Sequence, residues 1–494
     1  MQVKTQVEDI QNYLTDASNM PGGHAEKLFL PESEAEIAEI LREANEQGTA
    51  VTVSGARTGT VGGAIPFGGW VISLEKLNRI KSIDKANLRA VVEPGVILGD
   101  FQKAVEAEGL FYPPDPTEWG CQIGGTVATN ASGARSFKYG ATREFVQRLE
   151  LILASGDKLT ISRGEAISSI GMRLTTEGGP SIDVDVPTYE RPDVRKNVSG
   201  LYNAQPLDAI DLFVGSEGVL GVVTGIEVSL LPKPEGAFSG IVFFRNEDDL
   251  LDFTDSAKHL SIDHRESQMA DWIDATLLEY FDAHALTFIS EKFPETPAGM
   301  AGAIFFEQET TSANEDALLE AWNELLEKHN ADLDASWFTT NEQDRERMRA
   351  FRHALPVSVN ERVVRNKQKK IGTDMAVPDE AFPGFLKFYK DTLDASGIDY
   401  VIFGHIGDCH LHANLLPKDD AEAERARHLY GRFVAQAVML GGTVSAEHGI
   451  GKLKSKYLYV MMGERYINEM AELKKAFDPK GILGRGNMFD GKYL

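Results

Sequence analysis

The stretch from 112 to 140 constrains the fold of this chain more than any other. It reads Y-P-P-D-P-T-E-W-G-C-Q-I-G-G-T-V-A-T-N-A-S-G-A-R-S-F-K-Y-G, and no side chain between 124 and 134 is larger than valine. Such a segment does not build a packed layer of its own, but it lets backbone N–H groups approach a large, flat or anionic ligand. A solvated surface loop is the alternative, yet Ile123, Val127 and Ala128 have no use there. We therefore predict that this stretch is the bed of a buried cofactor.

A second glycine-rich element precedes the bed, at residues 51–66, V-T-V-S-G-A-R-T-G-T-V-G-G-A-I-P. A short β-type run ends there in S-G-A-R-T-G, whose amides, hydroxyls and guanidinium suit a pyrophosphate. Neither element has the G-x-G-x-x-G spacing, and G-I-G-K at 449–452 lacks the first glycine and the final serine or threonine of a P-loop. The common dinucleotide and nucleotide fingerprints are therefore excluded.

The chain resembles the vanillyl-alcohol oxidase type flavoproteins, and more closely their D-2-hydroxy-acid dehydrogenase branch of D-lactate, D-2-hydroxyglutarate and glycolate enzymes. The resemblance extends from about Val51 to the C-terminus. It rests on five blocks in order, which are S-G-A-R-T-G-T-V-G-G-A-I-P at 54–66, C-Q-I-G-G-T-V-A-T-N-A-S-G at 121–133, G-S-E-G-V-L-G at 215–221, G-H-I-G-D-C-H-L-H-A-N at 404–414 and E-H-G-I-G-K at 447–452.

This resemblance implies an α+β protein with a vanillyl-alcohol oxidase type FAD-binding domain and a ferredoxin-like α/β cap. It implies noncovalent FAD, because Arg57 stands where some relatives have the histidine that is linked to the flavin. The residues that it assigns to the cofactor are Ser54, Gly55, Ala56, Arg57, Thr58, Gly59, Pro114, Asp115, Cys121, Gly124, Gly125, Thr129, Asn130, Gly133, Tyr139, Glu217, Gly218, Gly221 and Val223.

Several polar residues that could bind a metal ion lie close together in the C-terminal third of the chain. Four of the 11 histidines lie in the segments 405–412 and 447–448. On one helix His405 and His412 would share a face but lie about 10 Å apart, too far for one ion with bonds of about 2 Å. On one straight strand they would face opposite sides. They converge only if the chain bends between them, for which Gly404 and Gly407 supply the freedom.

Imidazoles satisfied by ordinary hydrogen bonds are the alternative for any single histidine. The resemblance implies instead that His405, His412 and Glu447 bind a divalent ion such as zinc, and that the adjacent His448 is the base. His410 shares strand parity with His412, so it is an alternative ligand. Asn414, which ends the same block, is a further catalytic candidate.

An α-hydroxy acid also needs a cation for its carboxylate. Arg352, in R-A-F-R-H-A-L-P, matches the substrate arginine of the family, although a surface arginine in a charged run is the alternative. Pro356 stands where dicarboxylate-specific relatives have threonine, and Lys370, with Lys369 beside it, is only near the position of their lysine. This departure favours a monocarboxylate such as D-lactate over D-2-hydroxyglutarate.

The mechanism that follows is a hypothesis. The metal polarises the substrate hydroxyl and holds the carboxylate, His448 takes the O–H proton, and the Cα hydrogen leaves as hydride to flavin N5. Cys121 and Cys409 cannot supply an iron–sulfur cluster, so the electrons pass to a separate acceptor, such as a quinone, a cytochrome or an electron-transfer protein.

Other activities fit the same resemblance. Within the branch, the chain could be a D-2-hydroxyglutarate dehydrogenase or a glycolate oxidase subunit. A more distant alternative is a transferase like alkyl-glycerone-phosphate synthase, which needs a denser basic cluster for its phosphate. A flavin-binding partner subunit is a third reading, although the retained histidine set argues against it.

Charge and composition limit the partners. The 494 residues are 42% hydrophobic and 25% charged, as in an ordinary globular protein, and the net charge of -25 argues against binding to nucleic acid. The acidic N-terminus is unlike a secretory signal, and no run approaches the roughly 18 apolar residues of a membrane span. We expect a cytoplasmic protein, with peripheral contact to the inner face of the membrane and a homodimer both compatible with the sequence.

The pattern along the chain predicts three parts. Residues 1–235 form an FAD-binding domain of two α+β subdomains, 236–442 form the cap, and 443–494 return to the FAD domain. Helices are predicted at 31–47, 98–108, 248–260, 314–327 and 421–440. Strands are predicted at 51–53, 71–74, 90–92, 149–153, 241–244, 303–306, 400–403 and 411–415, and 163–210 is predicted to be a long excursion.

Overall fold

The computed structural model describes residues 1–267 and 272–494. Its helices are α1 Val7–Ile10, α2 Glu34–Gln47, α3 Leu98–Ala107, α4 Ile123–Thr129, α5 Ser136–Tyr139, α6 Glu247–Ser267, α7 Ala283–Ser290, α8 Glu315–Lys328, α9 Glu342–Arg365, α10 Phe382–Ser396, α11 Asp420–Met439 and α12 Ser455–Phe477.

The strands fall into two groups along the chain. The first comprises β1 Gln2–Lys4, β2 Lys27–Leu30, β3 Val51–Ser54, β4 Trp70–Ser73, β5 Ile80–Asp84, β6 Arg89–Val92, β7 Leu110–Phe111, β8 Val146–Ile152, β9 Lys158–Ser162, β10 Ile167–Ser168, β11 Gly171–Thr175, β12 Ser181–Asp185, β13 Leu207–Asp208, β14 Val222–Ser229 and β15 Leu231–Pro232. The second comprises β16 Gly236–Phe244, β17 Ala275–Asp282, β18 Gly302–Thr310, β19 Trp337–Thr339, β20 Ile371–Gly372, β21 Tyr400–His405 and β22 His410–Leu415.

Three sheets carry most of these strands. A four-stranded sheet has the order β1-β2-β4-β3, and its β2-β4 and β4-β3 pairs are parallel. A five-stranded antiparallel sheet has the order β5-β6-β14-β8-β9. The second group forms a seven-stranded antiparallel sheet, β19-β16-β18-β17-β21-β22-β20. Mixed sheets and helices of this kind confirm the predicted α+β class.

Helix α2 shows how local sequence sets an element. Ser33 accepts a hydrogen bond from the backbone N–H of Glu36, whose carboxylate in turn accepts from the N–H of Glu32. The Ser33 cap satisfies one amide that the first helical turn leaves unpaired, and the Glu36 carboxylate ties down the chain that enters the helix. Gly48 ends the helix in the left-handed region at φ +68°. The prediction of this helix is therefore confirmed, with its first turn starting three residues later.

The glycine-rich bed differs from its prediction. Residues 123–129 are helical, and the side chains of Ile123 and Val127 are fully buried in the core. Gly124 lets this helix approach the preceding chain, since its N–H donates to the carbonyl of Pro94 and a Cβ at Gly124 would lie 2.5 Å from the Pro94 side chain. Part of the bed is therefore a short helix that packs closely against the chain at Pro94, whereas the sequence predicted no packed element there.

The large antiparallel sheet contains the four predicted strands of the cap region within β16, β18, β21 and β22. Sequence reasoning missed β17, which is buried along its whole length and so lacks the alternation of a half-exposed strand. It also missed α9, where Pro356 lies inside the helix and most residues are polar.

The last segment of the chain contacts the first sheet. The N–H of Val51 donates to the carbonyl of Ile482 at 2.7 Å, and the N–H of Gly484 donates back to Val51 at 2.9 Å. The ammonium of Lys474 also donates to the carbonyls of Val219 and Leu483. The domain limits at 235 and 442 stay predictions. None of the helices that the structure describes has both the length and the apolar character of a bilayer span.

Candidate active site

One cavity of about 360 Å³ lies between the glycine-rich loops and the C-terminal block. Its wall includes most of the residues predicted for the cofactor, together with Glu447 and His448. The predicted residues on this wall are Gly55, Ala56, Arg57, Thr58, Gly59, Cys121, Gly124, Gly125, Thr129, Gly133, Glu217, Gly218, Gly221 and Val223. The cavity therefore joins the predicted cofactor bed to the predicted catalytic segment.

The cavity wall has the features of a ligand cradle. A Cβ at Gly59, Gly125 or Gly218 would meet no protein atom within 4 Å, so a side chain there would project into the cavity. Gln122 is only 6% exposed, and its Oε1 has no hydrogen-bond partner among the described residues. A buried acceptor of this kind normally has a donor, which a bound ligand would supply. Open space beside backbone amides and an unpartnered acceptor fit a large planar cofactor.

Five residues predicted for the cofactor lie outside this wall. Their side chains or carbonyls are engaged with the protein instead, and they are Ser54, Pro114, Asp115, Asn130 and Tyr139. Asn130, for example, accepts from the N–H of Arg143, and the Tyr139 hydroxyl donates to Glu309. These five residues therefore contact other parts of the protein and do not line the cavity, and their role in binding the cofactor stays a prediction.

Glu217 links two of the sequence blocks. Its carboxylate accepts hydrogen bonds from the N–H groups of Ile450 and Gly451 at 2.6 and 2.7 Å. Burial raises the pKa of Glu217, although these amides oppose the shift. The G-S-E-G block thereby holds the segment that carries Glu447 and His448 against the cavity.

The predicted histidines converge on a tight hairpin. Strands β21 and β22 pair so that His405 lies opposite His410 and Phe403 lies opposite His412. Gly404 has φ +137°, and a Cβ there would lie 3.2 Å from the His410 carbonyl oxygen. A Cβ at Gly407 would lie 2.9 Å from the ring of Phe137. The two glycines therefore permit the bend that the sequence requires.

Four donor groups surround one point beside this hairpin. The ligand atoms of His405, His410, His412 and Glu447 all lie within 4.8 Å of one another. Carboxylate oxygens of Glu447 lie 3.4 Å from Nε2 of His405, 4.0 Å from Nδ1 of His410 and 3.1 Å from Nε2 of His412. Donors of a tetrahedral zinc ion with bonds of about 2.05 Å lie about 3.3 Å apart. The spacing of this set therefore fits a divalent ion, with His410 included.

Two of the imidazoles are anchored on the side away from Glu447. Nδ1 of His405 contacts Glu279, and Nδ1 of His412 donates to the carbonyl of Thr373 at 3.0 Å. Partners of this kind fix the tautomer of a metal-binding histidine. Nε2 of the fully buried His410 lies 3.1 Å from Asp374, but neither ring nitrogen of His410 has a hydrogen bond of good geometry among the described residues, and burial lowers the pKa of His410 to about 3. A neutral, unpartnered nitrogen in this position suits a metal ligand.

The charges around Glu447 favour its ionised form. Burial opposes ionisation, but Lys196 and His405 more than offset it and hold the pKa of Glu447 well below its usual range. Lys196 is only 4% exposed, and its ammonium lies 3.2 Å from Glu447 and 3.4 Å from Asp408. It also donates to the carbonyl of Gly133 in the bed at 3.0 Å. Lys196 thus connects the bed to the histidine hairpin.

His448 lies between the cavity and a buried carboxylate. Its Nδ1 is 3.5 Å from Asp374, its Nε2 is 3.6 Å from Glu447, and 37% of its side chain is exposed at the cavity wall. The exposed part of the ring faces only the cavity, and removal of the ring from bulk water by the surrounding protein lowers the pKa of His448 to about 4. A neutral imidazole that faces the cavity can accept a proton from a ligand there.

Arg352, on helix α9, is not a surface arginine. Its Nε donates to the buried Glu279 at 2.7 Å, and only 15% of its side chain is exposed. Burial would lower the pKa of Arg352, but Glu279 outweighs this effect and raises it. A permanently charged guanidinium beside the histidine hairpin suits a carboxylate ligand.

The other two catalytic candidates are less central. Asn414 is buried on β22, two residues after His412, and its amide donates to the His412 carbonyl at 3.3 Å. Lys370 is exposed just before β20, and among the described residues no ion pair or hydrogen bond joins it to the histidine set. The structure therefore brings Asn414 to the hairpin, and the role of Lys370, which precedes the strand that pairs with β22, stays a prediction.

Sequence reasoning missed three buried charges of the site. Glu279 is the one charge inside the apolar run A-T-L-L-E-Y-F, a signal that it needs a buried partner. Lys196 lies in the polar excursion predicted at 163–210, where no motif distinguished it. Asp374 accepts from the N–H groups of Glu447 and His448 and contacts Lys454, and nothing in its local sequence indicates this role.

Two family descriptions match the chain. Residues 25–162 match "FAD binding domain" and residues 262–488 match "FAD linked oxidases, C-terminal domain". The first range contains the loops at 54–59 and 121–133, and the second contains the histidine hairpin and Glu447. Both halves of the candidate site therefore fall inside matched regions.

Three relatives align over nearly the whole chain. The chain is 31% identical to the glycolate oxidase subunit GlcD of Bacillus subtilis, over 97% of this chain and 92% of that protein. It is 29% identical to D-lactate dehydrogenase of Anaerostipes hadrus, over 94% and 89%. It is 28% identical to D-2-hydroxyglutarate dehydrogenase of Xanthomonas citri pv. viticola, over 99% and 94%.

Solved structures share the fold at lower identity. A p-cresol methylhydroxylase superposes with a TM-score of 0.72 and 15% identity, covering 99% of this chain and 94% of that one. An alkyldihydroxyacetonephosphate synthase superposes with a TM-score of 0.68 and 15% identity, covering 98% and 82%. These similarities establish the vanillyl-alcohol oxidase type fold and do not indicate which substrate this chain binds.

Proposed function

This chain belongs to the family of FAD-linked oxidases, in the group of D-lactate, D-2-hydroxyglutarate and glycolate enzymes, and from that premise we propose that it oxidises a D-2-hydroxy acid to the 2-oxo acid. D-lactate is the substrate that we favour. We further propose that FAD is bound noncovalently and that a divalent ion, zinc in the first instance, is held by His405, His412 and Glu447, with His410 as a further ligand.

One observation supports this proposal above the others. The cavity wall contains both the glycine-rich loops at 55–59 and 121–133 and the pair Glu447 and His448. A substrate bound beside the cofactor would therefore meet a proton acceptor and a metal-binding carboxylate in the same space. Proximity of this kind is the first requirement for transfer between bound groups.

Each protein group has a separate task in this scheme. FAD, when bound, supplies an acceptor for the Cα hydrogen and its electron pair. The ion supplies a Lewis acid for the substrate hydroxyl. The guanidinium of Arg352 binds the substrate carboxylate, and the neutral imidazole of His448 takes the hydroxyl proton. Asp374, 3.5 Å from His448 Nδ1, then stabilises the charged imidazole.

In this scheme the reduced flavin must be reoxidised by a separate electron acceptor. The two cysteines, Cys121 and Cys409, are both buried, and two thiols are too few for an iron–sulfur cluster. We therefore propose that electrons pass to a separate quinone, cytochrome or electron-transfer protein.

A substrate panel tests the proposal. Purified protein is assayed with a dye acceptor and D-lactate, D-2-hydroxyglutarate, glycolate and L-lactate, before and after treatment with a chelator. We expect turnover of D-lactate above the other acids, and loss of turnover on chelation. Preference for D-2-hydroxyglutarate or glycolate would overturn the substrate assignment, and turnover that survives complete metal removal would overturn the role of the ion.

A further inference from the structure

Glu279 is a buried charge on the central strand β17. The residue is 2% exposed, and every residue of this strand is buried. A carboxylate in such a place needs partners, because an unpaired buried charge is strongly destabilising. The partners of Glu279 therefore indicate what the charge is for.

The two oxygens of Glu279 have different partners. Oε2 accepts from Nε of Arg352, on helix α9, at 2.7 Å. Oε1 contacts Nδ1 of His405, at the end of β21. The guanidinium can only donate, so the carboxylate accepts from Arg352, and it accepts from His405 when Nδ1 carries the imidazole hydrogen. One carboxylate thus connects the candidate carboxylate-binding residue to a candidate metal ligand.

Both contacts set an orientation. When Nδ1 of His405 donates to Glu279, the lone pair of the imidazole is on Nε2, which lies 3.4 Å from Glu447. When Nε of Arg352 donates to Glu279, its terminal nitrogens remain for a ligand, and the described residues give them no hydrogen-bond partner. Glu279 thereby directs Nε2 of His405 and the terminal nitrogens of Arg352 away from itself.

We propose that Glu279 is a positioning residue that fixes His405 for the metal and Arg352 for the substrate carboxylate at the same time. This inference rests on the proposed function. It makes metal affinity and substrate affinity depend on one side chain that contacts neither ligand. A single isosteric substitution should therefore weaken both.

Glutamine cannot replace Glu279 in this arrangement. If its amide NH₂ faces His405, the imidazole must accept at Nδ1 and carries its hydrogen on Nε2, where it cannot bind a metal. If the NH₂ faces Arg352, two donors oppose each other. The first orientation keeps both hydrogen bonds but leaves His405 in a tautomer that cannot bind a metal through Nε2, and the second loses the hydrogen bond to Arg352. Both orientations remove the negative charge that pairs with Arg352.

The same sheet offers a matched control. Glu307, on β18, is 5% exposed, accepts from Ser239 at 3.0 Å and pairs with Arg349 at 3.2 Å. Arg349 lies on helix α9 one turn before Arg352. Glu307→Gln therefore weakens an equivalent buried pair between the sheet and this helix without a contact to the histidine set.

The experiment compares wild type, Glu279→Gln, Glu279→Asp and Glu307→Gln as flavin-loaded proteins. Zn²⁺ is titrated calorimetrically into chelator-treated protein, and KM and kcat for D-lactate are measured after zinc is restored. We expect Glu279→Gln to weaken zinc about 10- to 100-fold, the range for such outer contacts, and to raise KM about tenfold or more. Glu307→Gln should stay within about threefold of wild type on both measures.

The outcomes separate this inference from the proposed function. If wild type binds no zinc or does not oxidise D-lactate, the proposed function fails and the inference fails with it. If wild type does both and Glu279→Gln matches Glu307→Gln, only the inference fails. If Glu279→Gln does not retain flavin, Glu279→Asp decides, because its shorter carboxylate cannot reach both partners. A folded Glu279→Asp protein with wild-type zinc affinity and KM would contradict the inference.

Discussion

Nε2 of His412 lies 3.1 Å from Oε1 of Glu447, although 34 residues separate them in the chain and they lie on a strand and on a loop that enters the cavity wall. The contact is possible because Asp374 accepts from the backbone N–H groups of Glu447 and His448 and so holds the loop against β22. The metal proposal depends on this convergence.

Removal of the bound ion by a chelator tests the proposed metal site. Chelation should abolish turnover and leave the flavin absorbance unchanged, because the ligand set lies beside the cavity and not on the glycine-rich loops. Added Zn²⁺ should restore turnover in wild type but not in Glu447→Gln, which keeps the shape of the side chain and loses its charge. The exposed Glu424→Gln serves as the control. Full recovery of Glu447→Gln with zinc would contradict the assignment.

Substitution of the proposed base should affect kcat first. His448→Asn removes the proton acceptor at the cavity wall, and general base catalysis typically contributes about 10²- to 10⁴-fold. We expect a loss of kcat in that range with flavin retained, measured by steady-state kinetics. His428→Asn, at an exposed position of α11, should change nothing. Native turnover by a flavin-loaded His448→Asn protein would show that another group takes the proton.

Filling the cradle should exclude the cofactor. Gly125 lies on the cavity wall, and a Cβ there meets no protein atom within 4 Å, so Gly125→Val places its methyl groups in the space assigned to FAD. We expect protein that folds but is purified colourless, as judged by circular dichroism and absorbance. Gly431→Val adds the same side chain to helix α11, where a Cβ also meets nothing, and should keep its flavin. A yellow Gly125→Val protein would place the cofactor elsewhere.

The buried helix cap Asp282 should make stability depend on pH. Its carboxylate accepts from the N–H of Ala285, and burial raises its pKa from 3.8 to about 6. Above pH 6 the folded protein therefore carries an ionised group that burial disfavours, at a cost of about 3 kcal/mol. Below about pH 4 the group is protonated in both states and the cost disappears.

Asp282→Asn keeps a capping acceptor and removes the ionisation. We expect a higher melting temperature than wild type at pH 7, and a difference that shrinks as the pH falls from 6 to 4. Asp419→Asn changes the exposed cap of α11 and should show no such trend. A constant difference across this pH range would contradict the buried charge at Asp282.

The sequence identifies much of the cavity wall, because glycines mark it directly. A Cβ at Gly125 would meet no protein atom within 4 Å and would face the cavity, whereas a Cβ at Gly133 would lie 1.9 Å from the carbonyl oxygen of Asp115 in the preceding loop. The need for a residue without a side chain arises at one position of the backbone, so it can be recognised from a single sequence. The convergence of His405 with His412 was also foreseen, since strand parity left a bend as the remaining solution.

The supporting charges could not be predicted in the same way. Asp374 and Lys196 act through contacts with residues 73 and 251 positions away, and no local pattern encodes such distances. Helix α9 was missed for two reasons. Pro356 lacks the backbone N–H that a residue inside a helix normally donates. The buried residues of the helix, such as Phe351 and Leu355, are also few among many charged ones. Tertiary packing rather than propensity forms this helix and places Arg352.

Anaerobic stopped-flow mixing of the purified protein with D-lactate or L-lactate, with the flavin absorbance followed, measures the proposed oxidation directly. We expect rapid bleaching by D-lactate, none by L-lactate, and a much slower phase in His448→Asn. A flavin that D-lactate does not reduce, or that both enantiomers reduce equally, would contradict it.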